Sequence, residues 1–574
     1  MNNFNGFILK NYPKEIKLMN SIRPHFLSTD HYGLVVSTCK YLGIEEFIDK
    51  RLPKLSNNQK LSNGQLFISM LVNAMSYVSK PMYLSPTFFR NVDVKTLFGE
   101  NFDVSYLNDD AFGRLLDGLY QADVSSLFVE LSLSCMRKLK QDVKCIHMDS
   151  TSFHLHGEKY CDDSFGERYL INIDNDENES LLKKEPITPA RGYSRDAHPE
   201  LLQVMLQMIT DEHGMPIYLK PQDGNTNDNT GFQASLSLVK SLKDAINFRY
   251  LVADAALFTE PNLKDMAQKG ILYITRAPNR LTEVKDLISS VNINDMELID
   301  DEYRGKLADF EYKGVKLKAL CVYSQQAQKR AEKSIEAKVN KEIAELGKKL
   351  DKHGHKAFSC EPDALKATNE IIKKFKFVKV KELNVTKEPV YKRGRRTADA
   401  EPVGYNHFVQ LTVERNEEII AEEKNEKAVF VIVTNDIDND WKAADLLKNY
   451  KSQQRVERGF RFLKDPQFFM DSFFLKKPER IESLLMIMVT SLFVYSATEY
   501  IIRKNLKEEN KTLPNQVNKE VQNPTVRWIY SMFTNVGRMI TDDKSIYVGL
   551  TDFQRRTVEI LGDEWLKMYQ VFLE

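Results

Sequence analysis

The sequence predicts an α/β protein in which a mixed-sheet core is interrupted by a β-rich insertion and flanked by helical N-terminal and C-terminal regions. Helical periodicity dominates both ends of the chain. The middle alternates short strand-like and helical runs, and strand alternation then returns around one long charged helix. The predicted segments are an N-terminal helical domain (1–140), a first core part (141–280), the insertion (281–427), a second core part (428–480) and a C-terminal helical region (481–574).

Length and composition set broad limits on the protein. A chain of 574 residues is too long for a single hydrophobic core, so several domains are expected. The 81 basic and 81 acidic residues cancel, which argues against a uniformly basic surface but permits a local basic patch. Six scattered cysteines without a CxxC pair predict neither a zinc site nor a disulfide framework, and they favour a reducing cytosol.

No segment of the sequence predicts membrane insertion. The first residues, MNNFNGFILKNYPKE, lack the apolar core of a signal peptide. The longest apolar run, Leu484 to Ala497, is shorter than the roughly 20 residues that cross a bilayer, and Glu482 and Glu499 flank it. We therefore expect a buried helix there and a cytoplasmic protein.

The N-terminal region carries helix signals. Ser62 or Asn63 can cap a helix in LSNGQLFISMLVNAMSYV, where apolar residues recur every three or four positions. The run from Asp109 to Leu139 predicts two more amphipathic helices. Together they predict a compact helical domain.

Five strand candidates then follow one another: KCIHMD, ELLQVMLQMIT, MPIYLK, RYLVAD and ILYITR. A helix separates the third strand from the fourth, and another separates the fourth from the fifth. Asn227 or Asp228 can cap the former, and Thr259 the latter. The order β-β-β-α-β-α-β predicts a mixed sheet. In this prediction Asp149 closes the first strand and Asp254 closes the fourth.

The insertion has its own pattern. The run from Asp300 to Ser324 predicts a β-meander, and a long charged helix follows it to about residue 354. KKFKFVKVKELNV returns to strand alternation, and KRGRR predicts a basic loop. EKAVFVIVTN predicts a further strand that leads into the last helix of the core.

That last helix is predicted over YKSQQRVERGFRFLK, Tyr450 to Lys464. Tyr450, Glu457 and Lys464 recur every seven residues, a step that drifts only about 20° around a helix. They would therefore form a polar line about 21 Å long beside an apolar stripe. For Glu457 taken alone, a solvated helix edge with an Arg461 pair is the plainer interpretation.

Asp149, Asp254 and Glu457 suit another role when they are taken together. If the first and fourth strands are adjacent, the two aspartates lie side by side, and a helix across that edge can aim Glu457 at the same point. Three carboxylates there would repel one another without a cation, and hard oxygen ligands suit Mg²⁺ or Mn²⁺. Two such ions can activate a water and stabilise the leaving oxygen in phosphodiester displacement. Taken singly, each aspartate could instead cap a turn or a helix.

With these residues the sequence resembles the DDE transposases of bacterial insertion sequences, in the branch with a Y-x2-R-x3-E-x6-K signature. Tyr450, Glu457 and Lys464 match the signature, and Gln453 stands at its arginine position. Four longer stretches also resemble the family's blocks, in order and spacing: HMDSTSFHLHG, GYSRDAHPELLQVMLQMITDEHGMPI, YLVADAALFTEPNL and VERGFRFLKDPQFFMDSFFLKKPERIESL. The resemblance covers roughly residues 145 to 540.

The resemblance implies an RNase H-like core split by the β-rich insertion, and cut-and-paste DNA transposition. Such an enzyme binds terminal inverted repeats, exposes a 3′-OH by strand hydrolysis, and joins that hydroxyl to target DNA. It implies that Asp149 bridges two Mg²⁺ or Mn²⁺ ions, that Asp254 and Glu457 each complete one, and that Tyr450 and Lys464 contact phosphates. It also implies a homodimer on paired double-stranded DNA ends in the bacterial cytosol, with the N-terminal domain contributing to DNA binding.

DNA binding requires cations, because phosphate neutralisation dominates such affinity. The best candidates lie in KKFKFVKVKELNVTKEPVYKRGRR, above all Arg393, Arg395 and Arg396, and a solvated loop is the alternative. KKPER supplies a second and weaker patch with Lys476, Lys477 and Arg480.

Other residues near these motifs leave alternatives open. Gln453 is a candidate DNA contact in place of the arginine. Trp441 could stack on an unpaired base, although packing is the favoured interpretation. His147, His154 and His156 alternate with apolar residues and are interpreted as ordinary sheet histidines rather than a soft-metal site.

Four functions remain open at this point. The first is an active Mg²⁺-dependent transposase, and the second is an RNase H-like nuclease without strand transfer. The third is a DNA-binding derivative that has lost catalysis, for which Gln453 leaves room. The fourth, a glycosidase using Asp149 and Asp254, gives no reason for the line of Tyr450, Glu457 and Lys464.

Overall fold

The computed structural model describes residues 25–54, 59–77, 80–155, 185–193, 198–226, 228–393, 401–465, 475, 477–541 and 544–573. Within these ranges the chain forms two compact units. The first unit draws on Met1–Leu257, Lys269–Ile271 and Lys451–Glu574. The second unit draws on Phe258–Gln268 and Leu272–Tyr450.

The N-terminal part of the first unit is largely helical, as predicted. Ser62 accepts a hydrogen bond from the Gln65 backbone N–H, and the Gln65 side chain accepts one from the Ser62 N–H, which closes a capping box. The elements are β1 (His25–Ser28), α1 (Tyr32–Leu42), α2 (Ile44–Arg51), α3 (Asn63–Ala74), α4 (Ser85–Phe89), α5 (Val94–Phe98), α6 (Asp109–Gln121) and α7 (Val124–Leu139).

A mixed sheet follows in the first unit. Its strands are β2 (Cys145–His154), β3 (Gln203–Asp211), β4 (Pro216–Gln222) and β5 (Tyr250–Ala253), and α8 (Asp228–Ile246) links the last two. They lie in the order β4-β3-β2-β5. β3 pairs antiparallel with β2 and β4, whereas β5 runs parallel to β2. Every residue of β3 is buried, so this strand forms the centre of the core.

The second unit contains the predicted β-meander and the long helix. Its strands β6, β12, β9, β8 and β7 lie in that order and pair antiparallel, and β10 and β11 form a separate hairpin. The elements are α9 (Glu260–Gln268), β6 (Tyr273–Ala277), α10 (Thr282–Ser289), β7 (Glu297–Leu298), β8 (Tyr303–Tyr312), β9 (Val315–Ser324), α11 (Gln325–Gly354), α12 (Glu361–Ile372), β10 (Val378–Val390), β11 (Gly404–Arg415), α13 (Glu417–Ala428), β12 (Val429–Thr434) and α14 (Ala443–Lys451).

The predicted order of strands and helices from β2 to β6 is confirmed. The charged helix α11 also has an apolar side, on which Ala331, Ile335 and Val339 pack with Phe377 and Ile420 into a small cluster. The predicted domain boundaries stay predictions.

The chain then completes the first unit. These elements are α15 (Gln454–Leu463), α16 (Pro478–Glu508), β13 (Leu513–Pro514), β14 (Glu520–Val521), α17 (Val526–Met532), β15 (Gly537–Ile540), β16 (Ser545–Tyr547), α18 (Asp552–Leu561) and α19 (Asp563–Tyr569). β15 pairs with β1, so residues from the two ends of the chain share one small sheet.

Helix α16 lies at the centre of the first unit. It contacts α1, α3, α6 and α7 from the N-terminal part as well as α15 and α18. Among the described residues it is the one helix long and apolar enough to cross a membrane, but 78% of its apolar window is buried inside the protein. The prediction of a buried helix over this run is confirmed.

The prediction of one continuous helix from Tyr450 to Lys464 is wrong. α14 ends at Lys451 and α15 begins at Gln454. Between them Arg455 N–H donates to Ser452 O and Val456 N–H to Gln453 O, both at 3.0 Å and both over three residues rather than four. The predicted polar line is therefore broken after Tyr450, and only Glu457 and Lys464 remain together.

Candidate active site

The two predicted aspartates follow neighbouring positions on parallel strands. The register of β2 with β5 ends where Met148 faces Ala253, and Asp149 and Asp254 are the next residues. Neighbouring strands lie roughly 4.8 Å apart, so the two residues lie side by side. The predicted adjacency of the first and fourth strands is confirmed.

The prediction that Asp149 closes its strand is wrong. β2 continues to His154, and Asp149 pairs with Met208 of β3 in the middle of an antiparallel ladder. The strand continues because β3 accompanies it for nine residue pairs, whereas β5 stops at Ala253. Asp149 therefore projects from a strand that stays paired with β3 at the point where its parallel neighbour β5 ends.

Both aspartates are half-buried and hold nearby backbone N–H groups. Asp149 Oδ1 accepts from Ser150 N–H at 2.8 Å. Asp254 Oδ1 accepts from Ala256 N–H at 3.0 Å, which fixes the turn that follows β5. The turn-forming alternative thus accounts for one oxygen of Asp254.

Helix α15 lies on the face of the sheet that carries Asp149. Residues 147, 149 and 153 of β2 share one face, because successive strand side chains alternate. His147 Nε2 lies 3.2 Å from Ser452 Oγ, just before α15. A Cβ on Gly459 would lie 3.6 Å from the Met208 side chain, opposite Asp149, and Lys464 Nζ lies 5.8 Å from the Phe153 ring centroid. The helix therefore follows β2 across this face.

Glu457 sits on the outward side of α15. Its side chain is 55% exposed, and its carboxylate lies 3.9 Å from Arg461 Nη2, four residues on. Within the described ranges, no three His, Cys, Asp or Glu side chains form a group that could hold a metal ion. The structure thus brings Asp149 and Asp254 together and lays α15 over their sheet, but it does not bring Glu457 into their group.

The two aspartates fit a divalent cation by their chemistry. They supply hard carboxylate oxygens, they are half-buried, and they lie side by side, one within β2 and the other just after β5. The contact between Glu457 and Arg461 is long and exposed, so it holds that carboxylate only weakly. The donor set therefore fits Mg²⁺ or Mn²⁺ at the aspartate pair, and the role of Glu457 stays a prediction.

The other predicted residues of the signature have different surroundings. Tyr450 is half-buried in the second unit. Gln453 is buried, and its Oε1 has no hydrogen-bond partner within the described part of the chain. Lys464 ends α15, half-buried on the face of Asp149.

Trp441 is buried and donates its indole N–H to Asp436 O at 2.9 Å, which agrees with the favoured packing interpretation. Arg393 is exposed, whereas Arg395 and Arg396 lie outside the described residues. Their predicted DNA contacts stay untested.

The second predicted basic patch is partly used for packing. Arg480 donates to both oxygens of Asp117 at 2.7 Å, which fixes the start of α16 against α6. Lys477 is exposed, and Lys476 lies outside the described residues.

Of the three predicted sheet histidines, the two that the structure describes, His147 and His154, lie on β2. His147 is fully buried, and burial, with a smaller effect of the Arg455 charge, lowers its pKa to about 3. It is therefore neutral at pH 7. His154 packs its ring 5.6 Å from that of His198, and His156 lies outside the described residues.

Two contacts that position α15 were not predicted from the sequence. The His147–Ser452 contact joins residues 305 positions apart and fixes the chain just before α15. Gly459 lies close to both Met208 and Leu492, so it lets α15 approach the sheet and α16. An isolated glycine inside a helical pattern is the one local cue that could have pointed to this close approach.

Comparison with known proteins identifies the family to which this part of the chain is similar. Residues 144–494, more than half of the chain, match the model of a family described as Transposase DDE domain. The match begins just before β2 and ends within α16, so it includes both aspartates and α15. Residues 25–133 match a family described as Domain of unknown function (DUF4277). Among curated proteins, none matches the chain.

Proposed function

Because the chain belongs to the transposase DDE domain family, we propose that it is a cut-and-paste DNA transposase. It would cleave DNA at the ends of a mobile element and join the exposed 3′ ends to target DNA. The family membership supports a transposase function in general, and the reaction steps are our proposal.

The observation that carries the proposal is the aspartate pair. Two half-buried carboxylates, 105 residues apart in sequence, lie at neighbouring positions, one within β2 and the other just after the adjacent strand β5. A capping role explains a single hydrogen bond at each, and it does not explain why the fold brings two acidic groups together. A shared cation does explain it, since it removes their mutual repulsion.

Asp149 and Asp254 would hold Mg²⁺ or Mn²⁺, two ions in the complete site, and Glu457 would add a further oxygen. When bound, these ions supply activation of the attacking oxygen and charge stabilisation at the leaving oxygen. The backbone N–H groups of Ser150 and Ala256 hold one oxygen of each aspartate, so the carboxylates are oriented before substrate arrives.

Lys464 would bind a phosphate beside the cleaved bond. Its ammonium group lies over Phe153, which shares a face of β2 with Asp149. Four residues along a strand span about 13 Å, so this charge can hold the DNA backbone beyond the reacting phosphate. Tyr450, Arg393, Arg395 and Arg396 are further proposed DNA contacts, and paired DNA ends would be held by a homodimer in the bacterial cytosol.

A catalytically lapsed DNA-binding derivative is the second candidate. Gln453 replaces the signature arginine and is buried, and Glu457 lies beside Arg461. An RNase H-like nuclease is separated from a transposase by one product, since only the transposase joins the cleaved end to a second DNA.

The test uses the full-length protein and labelled duplex DNA that carries the inverted repeats flanking its own coding region. With Mg²⁺ or Mn²⁺ we expect cleavage and end joining by the wild type. Neither product should form with Asp149→Ala, Asp254→Ala or Glu457→Ala, while Asp244→Ala, an exposed aspartate on α8, should keep both. Cleavage by a triple variant of the three acidic residues would contradict the site assignment.

A further inference from the structure

The exposed side of α15 carries more cations than the signature accounts for. The helix buries Val456, Gly459, Phe460, Phe462 and Leu463. Arg455 and Arg458 are exposed and lie three residues apart, so they are neighbours on one flank of the helix. Glu457 is two residues from Arg455, roughly 200° around the axis, and therefore lies on the other flank.

Helix α16 adds two cations beside this flank. Arg455 donates to the Glu212 backbone O in the turn between β3 and β4, and Ser496 of α16 donates to Gly214 O of the same turn at 3.3 Å. Arg503 and Lys507 lie about two and three turns further along α16 than Ser496, and they are four residues apart. We call Arg455, Arg458, Arg503 and Lys507 the arginine flank.

The two acidic groups described beside the arginine flank are both engaged, one by backbone N–H groups and the other by a cation of the flank itself. The Glu212 carboxylate accepts from the N–H groups of Lys144 and Cys145 at 3.1 and 3.3 Å. Glu499 pairs with Arg503 at 2.6 Å. Neither Arg455 nor Arg458 has a carboxylate within ion-pair distance in the part of the chain that the structure describes.

The cations of the arginine flank are close enough to repel one another electrostatically. Burial lowers the pKa of the Arg503 guanidinium, the Glu499 carboxylate opposes this, and the charges of Arg455 and Arg458 lower it further. Like charges held this close favour a site for an anion that spans them. A row of phosphates meets that requirement better than one small anion, because the cations belong to two helices.

We propose that the arginine flank binds the phosphate backbone of duplex DNA next to the cleaved bond. This inference rests on the proposed function and adds a binding surface to it. The duplex that places its cleaved bond at Asp149 would continue over the exposed side of α15 and onto α16. Guanidinium groups suit this contact because they donate in pairs to phosphate oxygens.

The test measures binding of the end duplex by the full-length protein with EDTA present, so that metal binding does not contribute. Arg458→Gln removes a charge without a described ion pair, and the double variant Arg455→Gln/Arg458→Gln removes two. We expect the Kd at moderate salt to rise about threefold per charge, and the slope of log K against log salt to fall by about 0.9 per lost contact.

The matched control for Arg458→Gln is Arg114→Gln, which removes one exposed helix arginine elsewhere in the first unit. Arg114 lies on α6, which contacts the start of α16 where Ser483 Oγ donates to Leu116 O. Arg503 is 20 residues beyond Ser483 on α16, a distance of about 30 Å along the helix axis. The control should keep the wild-type slope. Wild-type slopes in Arg458→Gln and in the double variant would overturn the arginine flank while leaving the transposase proposal standing. Failure of the wild type to bind the end duplex would overturn both.

Discussion

At the scale of single residues, Asp211 shows how burial controls charge in this fold. It ends β3 with no exposed surface, and its Oδ1 accepts from the N–H groups of His213 and Met215 at 2.8 Å. Gln141 donates to its Oδ2. Burial, with the Glu212 charge adding to it, raises the pKa of Asp211 to about 7. The turn that Arg455 contacts is therefore held by a carboxyl group that is partly protonated at neutral pH.

A carboxyl group with a raised pKa in the folded state makes the protein less stable as pH increases. Its contribution to folding is fully present below the ordinary value of 3.8 and is lost as pH rises to about 7. We expect Asp211→Asn to remove this pH dependence. The free energy of unfolding involved is about 1.4 kcal/mol per unit of difference between the folded and unfolded pKa. Gln141 can turn its amide to accept from the new NH₂ group, because its Oε1 has no partner among the described residues.

The measurement is urea unfolding of the wild type and Asp211→Asn at pH 5 and pH 8. The free energy of unfolding of the variant minus that of the wild type should be larger at pH 8 than at pH 5. Other titrating groups cancel in this comparison. An equal difference at the two pH values would show that Asp211 is charged throughout the range.

Asp149 and Gln453 mark how far sequence reasoning reaches at this scale. The strand pattern located Asp149 and its neighbour Asp254 correctly, because hydrophobic alternation reports strands directly. It misplaced the end of β2, since that depends on how far β3 accompanies it. The burial of Gln453 could not be predicted, because it depends on where the helix is interrupted before α15.

At the scale of elements, α15 is set by contacts outside itself. No glycine or proline marks the break at residues 452 and 453, so the sequence pattern continues through it. Ser452 instead meets His147 of β2, and the apolar side of α15 turns onto the sheet and α16. Tertiary contacts of this kind routinely override local helix preference.

Gly459 permits the close approach of α15. A Cβ there would lie 2.9 Å from a terminal methyl of Leu492 and 3.6 Å from Met208. We expect Gly459→Ala to gain little, because the helix-propensity gain of about 1 kcal/mol is offset by displacement of Leu492. Gly459→Val should lower the free energy of unfolding by about 1–3 kcal/mol, as overpacked cores do.

The matched control is Gly347→Ala on α11, where no atom lies within 4 Å of the new Cβ. Thermal unfolding should show stabilisation by about 1 kcal/mol for this variant. If Gly459→Val unfolded at the wild-type temperature and cleaved DNA at the wild-type rate, close packing of α15 would not matter for the site.

At the scale of the whole molecule, helix α16 organises the first unit. N-terminal helices and α15 pack on it, and β1 pairs with β15 near the other end of the chain. The sequence predicted that α16 is buried but not what covers it, because burial follows from composition whereas partners follow from the fold. The succession of strands and helices from β2 to β6 and the long helix α11 were predictable because each element has a strong local period.

The central claim is that Asp149 and Asp254 hold a divalent cation. Electron paramagnetic resonance of Mn²⁺ mixed with the full-length protein tests it most directly, with thermal unfolding to show that each variant is folded. We predict bound Mn²⁺ in the wild type and in Asp244→Ala, weaker binding in Glu457→Ala, and none in Asp149→Ala/Asp254→Ala. Wild-type Mn²⁺ binding by a folded Asp149→Ala/Asp254→Ala variant would contradict the account.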